Sequence, residues 1–163
     1  IVTYNAGISA CEKGGQWQQA LFLLREAQEV SLKPDAISYN AGISACEKGG
    51  QWQQALSLLD KVREAKFDSG PIAHNAAISA CAQGEQWQKA VALLSEMRGL
   101  STAADVISYS AGISACGKGE QWHRALALLR EMWVAKVEPN PISYSAGITA
   151  CGKGGQWQRA LAL

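Results

Sequence analysis

Residues 4–21 and residues 39–56 spell the same eighteen letters, YNAGISACEKGGQWQQAL, at an offset of 35. Altered copies follow in step: HNAAISACAQGEQWQKAV at 74–91, YSAGISACGKGEQWHRAL at 109–126 and YSAGITACGKGGQWQRAL at 144–161. A period of 35 held without insertion constrains the fold more than any other property of the chain. Repeats of this kind bury their apolar faces against their neighbours, so the chain grows in one dimension as a stack. Its 48% hydrophobic content would otherwise suit one globular core.

One repeat, 36–70, shows what is stacked. Ser38 is the expected N-cap of a first helix, helix A, along which Tyr39, Ile43 and Cys46 recur at helical spacing until Gly49 and Gly50 end it. Trp52, Ala55, Leu56, Leu59 and Val62 form the apolar stripe of a second, helix B, with Asp60, Lys61, Arg63 and Glu64 around it. A two-glycine connection makes the helices antiparallel neighbours, and stretches such as SLKPD at 31–35 and VEPN at 137–140 break helix B. The prediction is an all-α solenoid of stacked helix-turn-helix hairpins. A small residue recurs inside helix A, as Gly7, Gly42, Ala77, Gly112 and Gly147. Glycine there costs ~1 kcal/mol relative to alanine, which predicts close approach of another helix.

The tryptophans that open each B stripe, Trp17, Trp52, Trp87, Trp122 and Trp157, are read as core at the seam between helices A and B, while Trp133 has no counterpart and is expected on the surface. The cysteines, Cys11, Cys46, Cys81, Cys116 and Cys151, share one slot of the repeat. Stacked helices lie ~8–10 Å apart, beyond the ~7 Å reach of a disulfide, so reduced thiols packed as small hydrophobes are expected.

Fifteen Lys and Arg against fourteen Asp and Glu leave a net charge of +1, so contact with a polyanion must be local and not steered by a global field. No apolar run approaches the ~18 residues of a membrane span, and no membrane insertion is expected. The repeat begins at Ile1 without an initiator Met and stops 23 residues into its fifth copy, which predicts a piece of a longer chain. His74 and His123 have no Cys or acid at ligand spacing, and no triad, phosphate loop or paired carboxylates occur. Neither a metal, a cofactor nor an enzymatic activity is expected of this stretch.

A 35-residue helical hairpin that opens with VTYN or ISYN and closes with KPD or EPN resembles the pentatricopeptide-repeat family. The resemblance covers the whole chain as a single array of repeats 1–35, 36–70, 71–105 and 106–140, with a partial repeat over 141–163. The tetratricopeptide repeat differs in period and in its aromatic, glycine and alanine pattern. The family resemblance implies a superhelix that binds single-stranded RNA, one base per repeat, on mitochondrial or chloroplast transcripts, serving RNA processing, stability or translation. Helical repeats suit this task because a splayed single strand exposes base edges that an A-form duplex hides.

The resemblance also implies roles for particular residues. The base is read by the fifth residue of each repeat, here Asn5, Asn40, Asn75, Ser110 and Ser145, with the last, here Asp35, Gly70, Asp105 and Asn140. Asn with Asp implies uridine and Ser with Asn implies adenine, giving U-x-U-A; Gly70 departs from the pattern and leaves the second base open. The second residues, Val2, Ile37, Ile72, Ile107 and Ile142, are similar to the family's aliphatic clamp on the bases. Lys13, Lys48, Lys118 and Lys153 resemble its phosphate-contacting column, which Gln83 interrupts and which Glu12 and Glu47 weaken. A protein-binding scaffold, as a structural subunit of an organellar complex, is the alternative that the near-zero charge and Gly70 favour. The Asn/Ser and Asp/Asn variation favours RNA.

Overall fold

The computed structural model describes residues 2–67, 70–99 and 104–163, and among these all regular structure is helical. The order is α1 (Val2–Lys13), α2 (Trp17–Glu29), α3 (Ala36–Lys48), α4 (Trp52–Glu64), α5 (Gly70–Gln83), α6 (Trp87–Gly99), α7 (Val106–Lys118), α8 (Trp122–Val134), α9 (Pro141–Lys153) and α10 (Trp157–Leu161). Odd-numbered helices are the predicted A helices and even-numbered ones the B helices. No described helix is long and apolar enough to cross a membrane. The chain forms two compact halves, Ile1–Ala80 and Cys81–Leu163.

In the N-terminal half, α3 packs on its hairpin partner α4 and also on α1 and α2 of the preceding repeat. In the C-terminal half, α9 packs in the same way on α10, α7 and α8. Surrounded on three sides, α3 buries Tyr39, Ala41, Gly42, Ile43, Ala45 and Cys46. A Cβ on Gly42 would come within 2.5 Å of Leu24 Cδ1 and 3.2 Å of Leu58 Cδ1, so B-helix leucines from two successive repeats converge on the small slot. Leu58 is buried beside the predicted Ala55, Leu59 and Val62, whereas Leu56 is only half-buried. Burial alone pushes the Cys46 thiol up to about 11, and Cys81 and Cys116 also stand at about 11, burial outweighing the nearby cations Lys89 and Arg124. These cysteines are free thiols, inert at neutral pH.

Helix A starts three residues earlier than the serine cap predicts. The N-caps are Asp35, Asp105 and Asn140, with φ of −100°, −105° and −100° and extended ψ, and Ser38, Ser108 and Ser143 stand at N3. In each case the cap side chain accepts from the serine N–H while the serine hydroxyl takes the cap N–H, a reciprocal capping box. The longer acid or amide side chain reaches the N3 amide from outside the helix, which leaves serine free to close the box from inside. The last residue of one repeat therefore starts the next.

The tryptophans correct a second expectation. Trp17, Trp52, Trp87 and Trp122 are half-buried and Trp157 is 63% exposed, so they are not core of the A–B seam. Trp17, Trp87 and Trp122 instead bridge repeats. A Cβ on Gly119 would lie 2.2 Å from Trp87 Cδ1, and one on Gly154 2.2 Å from Trp122 Cδ1; Trp17 stands over Gly49 in the same way, at 2.3 Å. The guanidinium of Arg124 lies 5.0 Å from the Trp87 ring centre, and that of Arg159 lies 4.7 Å from that of Trp122. Each of these tryptophans is thus seated on the glycine that ends the next helix A and, in the C-terminal half, covered by an arginine of the next helix B.

The two glycines of the connection have different causes. The first admits the tryptophan, and the second turns the chain with φ of +66° at Gly50 and +67° at Gly155, a conformation that Glu120 adopts at +57° in the fourth repeat. Gly14 carries no tryptophan: its nearest neighbour to a Cβ is the Ala10 carbonyl at 3.4 Å. Gly119→Ala is therefore expected to cost about 1–3 kcal/mol by displacing the Trp87 ring, while Gly14→Ala is near neutral. In urea unfolding, the Trp87→Ala/Gly119→Ala pair should fall short of additivity, since the clash disappears with the ring.

Candidate functional site

The second residue of each repeat falls in the first turn of an A helix and points into solvent. Val2 is 80% exposed, and Ile37, Ile72, Ile107 and Ile142 range from 59% to 67%. Isolated β-branched side chains exposed at one repeated position cannot be explained by packing within the chain. Lys13, Lys48, Lys118 and Lys153 occupy the last turns of α1, α3, α7 and α9, all exposed, where they also complement the helix C-terminus. Gln83 is exposed at the corresponding end of α5.

These lysines are not equivalent. Lys48 Nζ lies 2.9 Å from Glu12 Oε1 of the preceding repeat. In α7 and α9 the residue before the lysine is Gly117 or Gly152. A Cβ on Gly117 would meet Ala150 Cβ at 3.2 Å, so the substitution that removes the acid also lets α7 and α9 close together. Between these two helices runs an open groove of about 520 Å³, whose wall includes Ile142, Ser145, Thr149, Lys118 and Lys153. Second, fifth and thirteenth residues meet there.

In the first and fourth repeats the fifth and last residues are joined by hydrogen bonds. Asn5 Nδ2 donates to Asp35 at 3.2 Å (Oδ1) and 3.1 Å (Oδ2), and Ser38 Oγ contacts Asn5 Oδ1. Burial raises the Asp35 pKa, but hydrogen bonds from the Ser38 N–H, the Ser38 hydroxyl, Asn5 and its own backbone outweigh it and hold the carboxyl below the usual 3.8. In the fourth repeat the connection runs through a serine: Ser110 Oγ is 2.7 Å from Ser143 Oγ, which donates to Asn140 Oδ1 at 3.0 Å. Asn75 is half-buried in α5 and Asp105 caps α7, in different halves of the molecule.

The second repeat departs in backbone as well as side chain. Gly70 has φ of +58° where the caps are extended, and α5 begins at Gly70 itself. Asn40 is half-buried in α3. Ser145 is exposed on the groove wall. The capping serines are the participants that sequence reasoning misplaced, although the Asp/Asn-x-x-Ser signal was present at 35–38, 105–108 and 140–143. Among the described residues no three His, Cys, Asp or Glu side chains gather as metal ligands would.

A family model described as the pentatricopeptide repeat domain matches residues 1–49, 22–84 and 92–154, and one for the single PPR repeat matches residues 72–101. The chain belongs to the pentatricopeptide repeat family. Solved structures share its fold. The maize pentatricopeptide repeat protein PPR10, in complex with an 18-nucleotide psaJ RNA element, aligns at a TM-score of 0.79 and 23% identity over 98% of this chain. The PPR domain of *Arabidopsis thaliana* protein-only RNase P 1, in complex with tRNA, aligns at 0.80 and 14% identity over 95% of this chain and 83% of its own. The nuclear RNase P 2 of the same plant aligns at 0.84 and 12% identity over 99% of this chain and 37% of its own. This chain spans only 23% of the PPR10 chain. No curated protein sequence matches it. In this pentatricopeptide array Asp35, Asp105 and Asn140 are each both a helix cap and the last residue of a repeat.

The capping role has a pH signature. Because the folded Asp35 value is depressed, its contribution to stability is complete above the unfolded value and disappears as pH falls through the folded one. Asp35→Asn retains a cap oxygen, as Asn140 does, so parent and variant should converge in urea stability as pH falls from the usual carboxylate value of 3.8 through the depressed folded one. Asp35→Ala should lose ~1 kcal/mol at neutral pH.

Proposed function

We propose that the chain binds single-stranded RNA sequence-selectively, one base per repeat, as a single repeat array over 1–163 that serves transcripts of a mitochondrion or plastid. The observation that carries this reading is the groove between α7 and α9, where Ile142, Ser145, Lys118 and Lys153 converge. An exposed aliphatic side chain covers the face of a base, a hydroxyl meets its edge and ammonium groups meet the phosphates. The maize relative in complex with RNA and the plant domain in complex with tRNA support the same ligand class. Asn5 with Asp35 and Asn75 with Asp105 assign uridine, and Ser110 with Asn140 assigns adenine, giving U-x-U-A. The reading assigns the chain no catalytic step.

A second reading, a protein-binding scaffold, is favoured by one feature of the other face. Trp17, Leu21, Phe22, Arg25 and Gln54 line an open groove of about 590 Å³ on the B helices, with Phe22 60% exposed. Aromatic side chains of this kind serve protein contacts as readily as nucleic acid.

A salt titration of binding to oligo(U), with duplex RNA as control, separates the two. Single strands should bind more tightly than duplex, with affinity falling as salt rises. Lys118→Gln together with Lys153→Gln should flatten the logarithmic salt slope by roughly 1.4, about 0.7 for each lost phosphate contact, and leave base preference intact. Lys48→Gln should change it less, since Glu12 already engages that ammonium. An unchanged slope in the double variant, or equal binding to duplex, would contradict the RNA reading.

A further inference from the structure

We propose that the serine at the third position of the repeat that follows Asn140 is a positioning residue for base selection: Ser143 fixes which partner donates and which accepts in the Ser110–Asn140 pair. This rests on the RNA-binding reading above. Ser143 is fully buried, so it touches no ligand and acts only through its neighbours.

The order of protons in the fourth repeat follows from the donors available. Asn140 Oδ1 accepts from the Ser143 N–H at 2.9 Å and from the Ser143 hydroxyl at 3.0 Å. A backbone N–H only donates, so the amide must face it with oxygen, and the Asn140 Nδ2 is left as an outward donor. Ser143 has one hydroxyl proton, and either hydroxyl can donate in the 2.7 Å contact. On this proposal the Ser143 proton goes to Asn140 Oδ1, which makes Ser110 the donor and Ser143 the acceptor. Ser110 is itself buried, with 8% of its surface exposed, and with its own proton engaged that exposed part offers a base only lone pairs.

The fourth repeat thus presents one acceptor and one donor in a fixed order. The Watson–Crick edge of adenine sets an amino donor beside the N1 acceptor, whereas guanine sets a carbonyl acceptor beside an N–H donor. The fixed order matches adenine, and guanine meets it reversed. In the first repeat the Asp35 carboxylate itself sets the direction: it only accepts, so Asn5 turns Nδ2 towards it, while the Ser38 hydroxyl lies 2.9 Å from Asp35 Oδ1 and also contacts Asn5 Oδ1. Asn5 keeps one N–H and one lone pair for a ligand, the complement of the carbonyl and N3–H of uridine. After the second repeat stand Gly70 and Ala73, which supply neither a side-chain oxygen nor a hydroxyl.

The test is competition binding of the 163-residue chain to two strands that differ only in adenine or guanine opposite the fourth repeat. Ser143→Ala should lower the adenine-to-guanine affinity ratio at least roughly fivefold, because the Ser110 hydroxyl then rotates to donate or accept; a bidentate pairing is worth about tenfold or more. Ser143→Thr should retain the ratio. Selectivity opposite the first repeat should not change in either variant. Ser143→Cys preserves packing with a poor hydrogen-bonding group and should lower the ratio as well, which decides the matter should the alanine variant fail to fold. If Ser143→Ala or Ser143→Cys weakens both strands alike and keeps the parental ratio, the serine is structural and the inference is overturned. A parent chain that does not discriminate at that position overturns the base-reading assignment on which the inference rests.

Discussion

The hydrogen bond from the N3 backbone N–H to the side-chain oxygen of the last residue of the preceding repeat is the interaction on which the candidate site depends. An A helix must satisfy its orphan N–H groups, and Asp35, Asp105 and Asn140 do so from outside the helix. Capping occupies one oxygen and fixes the direction of the side chain. What remains is a second oxygen in Asp or an amide nitrogen in Asn, and in the first repeat Asn5 Nδ2 reaches that second oxygen of Asp35 at 3.1 Å. Stability and chemical display are thereby assigned to different atoms of one side chain, so variation between Asp and Asn changes the display while conserving the fold.

The stack around this joint is built differently on its two sides. Helix A packs closely because its contact positions are small: Gly117 receives Ala150 of the next A helix, and Gly42 receives Leu24 and Leu58 of two B helices. Across the B helices of the C-terminal half the connection is made by long side chains, with Arg124 on Trp87, Arg159 on Trp122 and Arg98 paired with Glu131. Tyr109 joins that last pair by donating its hydroxyl to Glu131 at 3.0 Å; burial first, then the carboxylate, pushes the phenol up to about 12. Close packing of small residues determines the spacing of the A helices, and hence of the fifth and second residues they carry.

The sequence made the hairpins legible because their signals are local: an exact period, apolar stripes and paired glycines. Tyr39, Ile43 and Cys46 are buried as the stripe of helix A requires. The errors concern relations between repeats. Ser38 reads as a cap when only its own helix is considered, and Asp35 displaces it because the preceding repeat delivers a longer acceptor from outside. The tryptophan column has the period of a core stripe, but its partners are Gly119 and Gly154, each in the next repeat and invisible to a helical wheel. The lysine column, which the sequence shows interrupted at Gln83 and weakened by Glu12 and Glu47, is weakened across repeats as well, with Lys48 paired 36 residues back to Glu12. The exposed Ile37, Ile72, Ile107 and Ile142, by contrast, were identifiable from the family pattern and remain unexplained by packing.

The most direct test of the shared cap is Asn140→Asp. The carboxylate retains the capping oxygen, as Asp35 and Asp105 do, so the urea midpoint should stay nearly constant. Its outward atom changes from a donor nitrogen to an acceptor oxygen, which no longer suits the N1 acceptor of adenine and instead receives the N1–H of guanine, while Ser110 is unchanged. Competition between strands differing only at the fourth position should show adenine preferred by the parent and the adenine-to-guanine ratio shifted towards guanine in the variant. If both proteins give the same ratio while stability is unchanged, the outward atom of the cap does not select the base and the account fails.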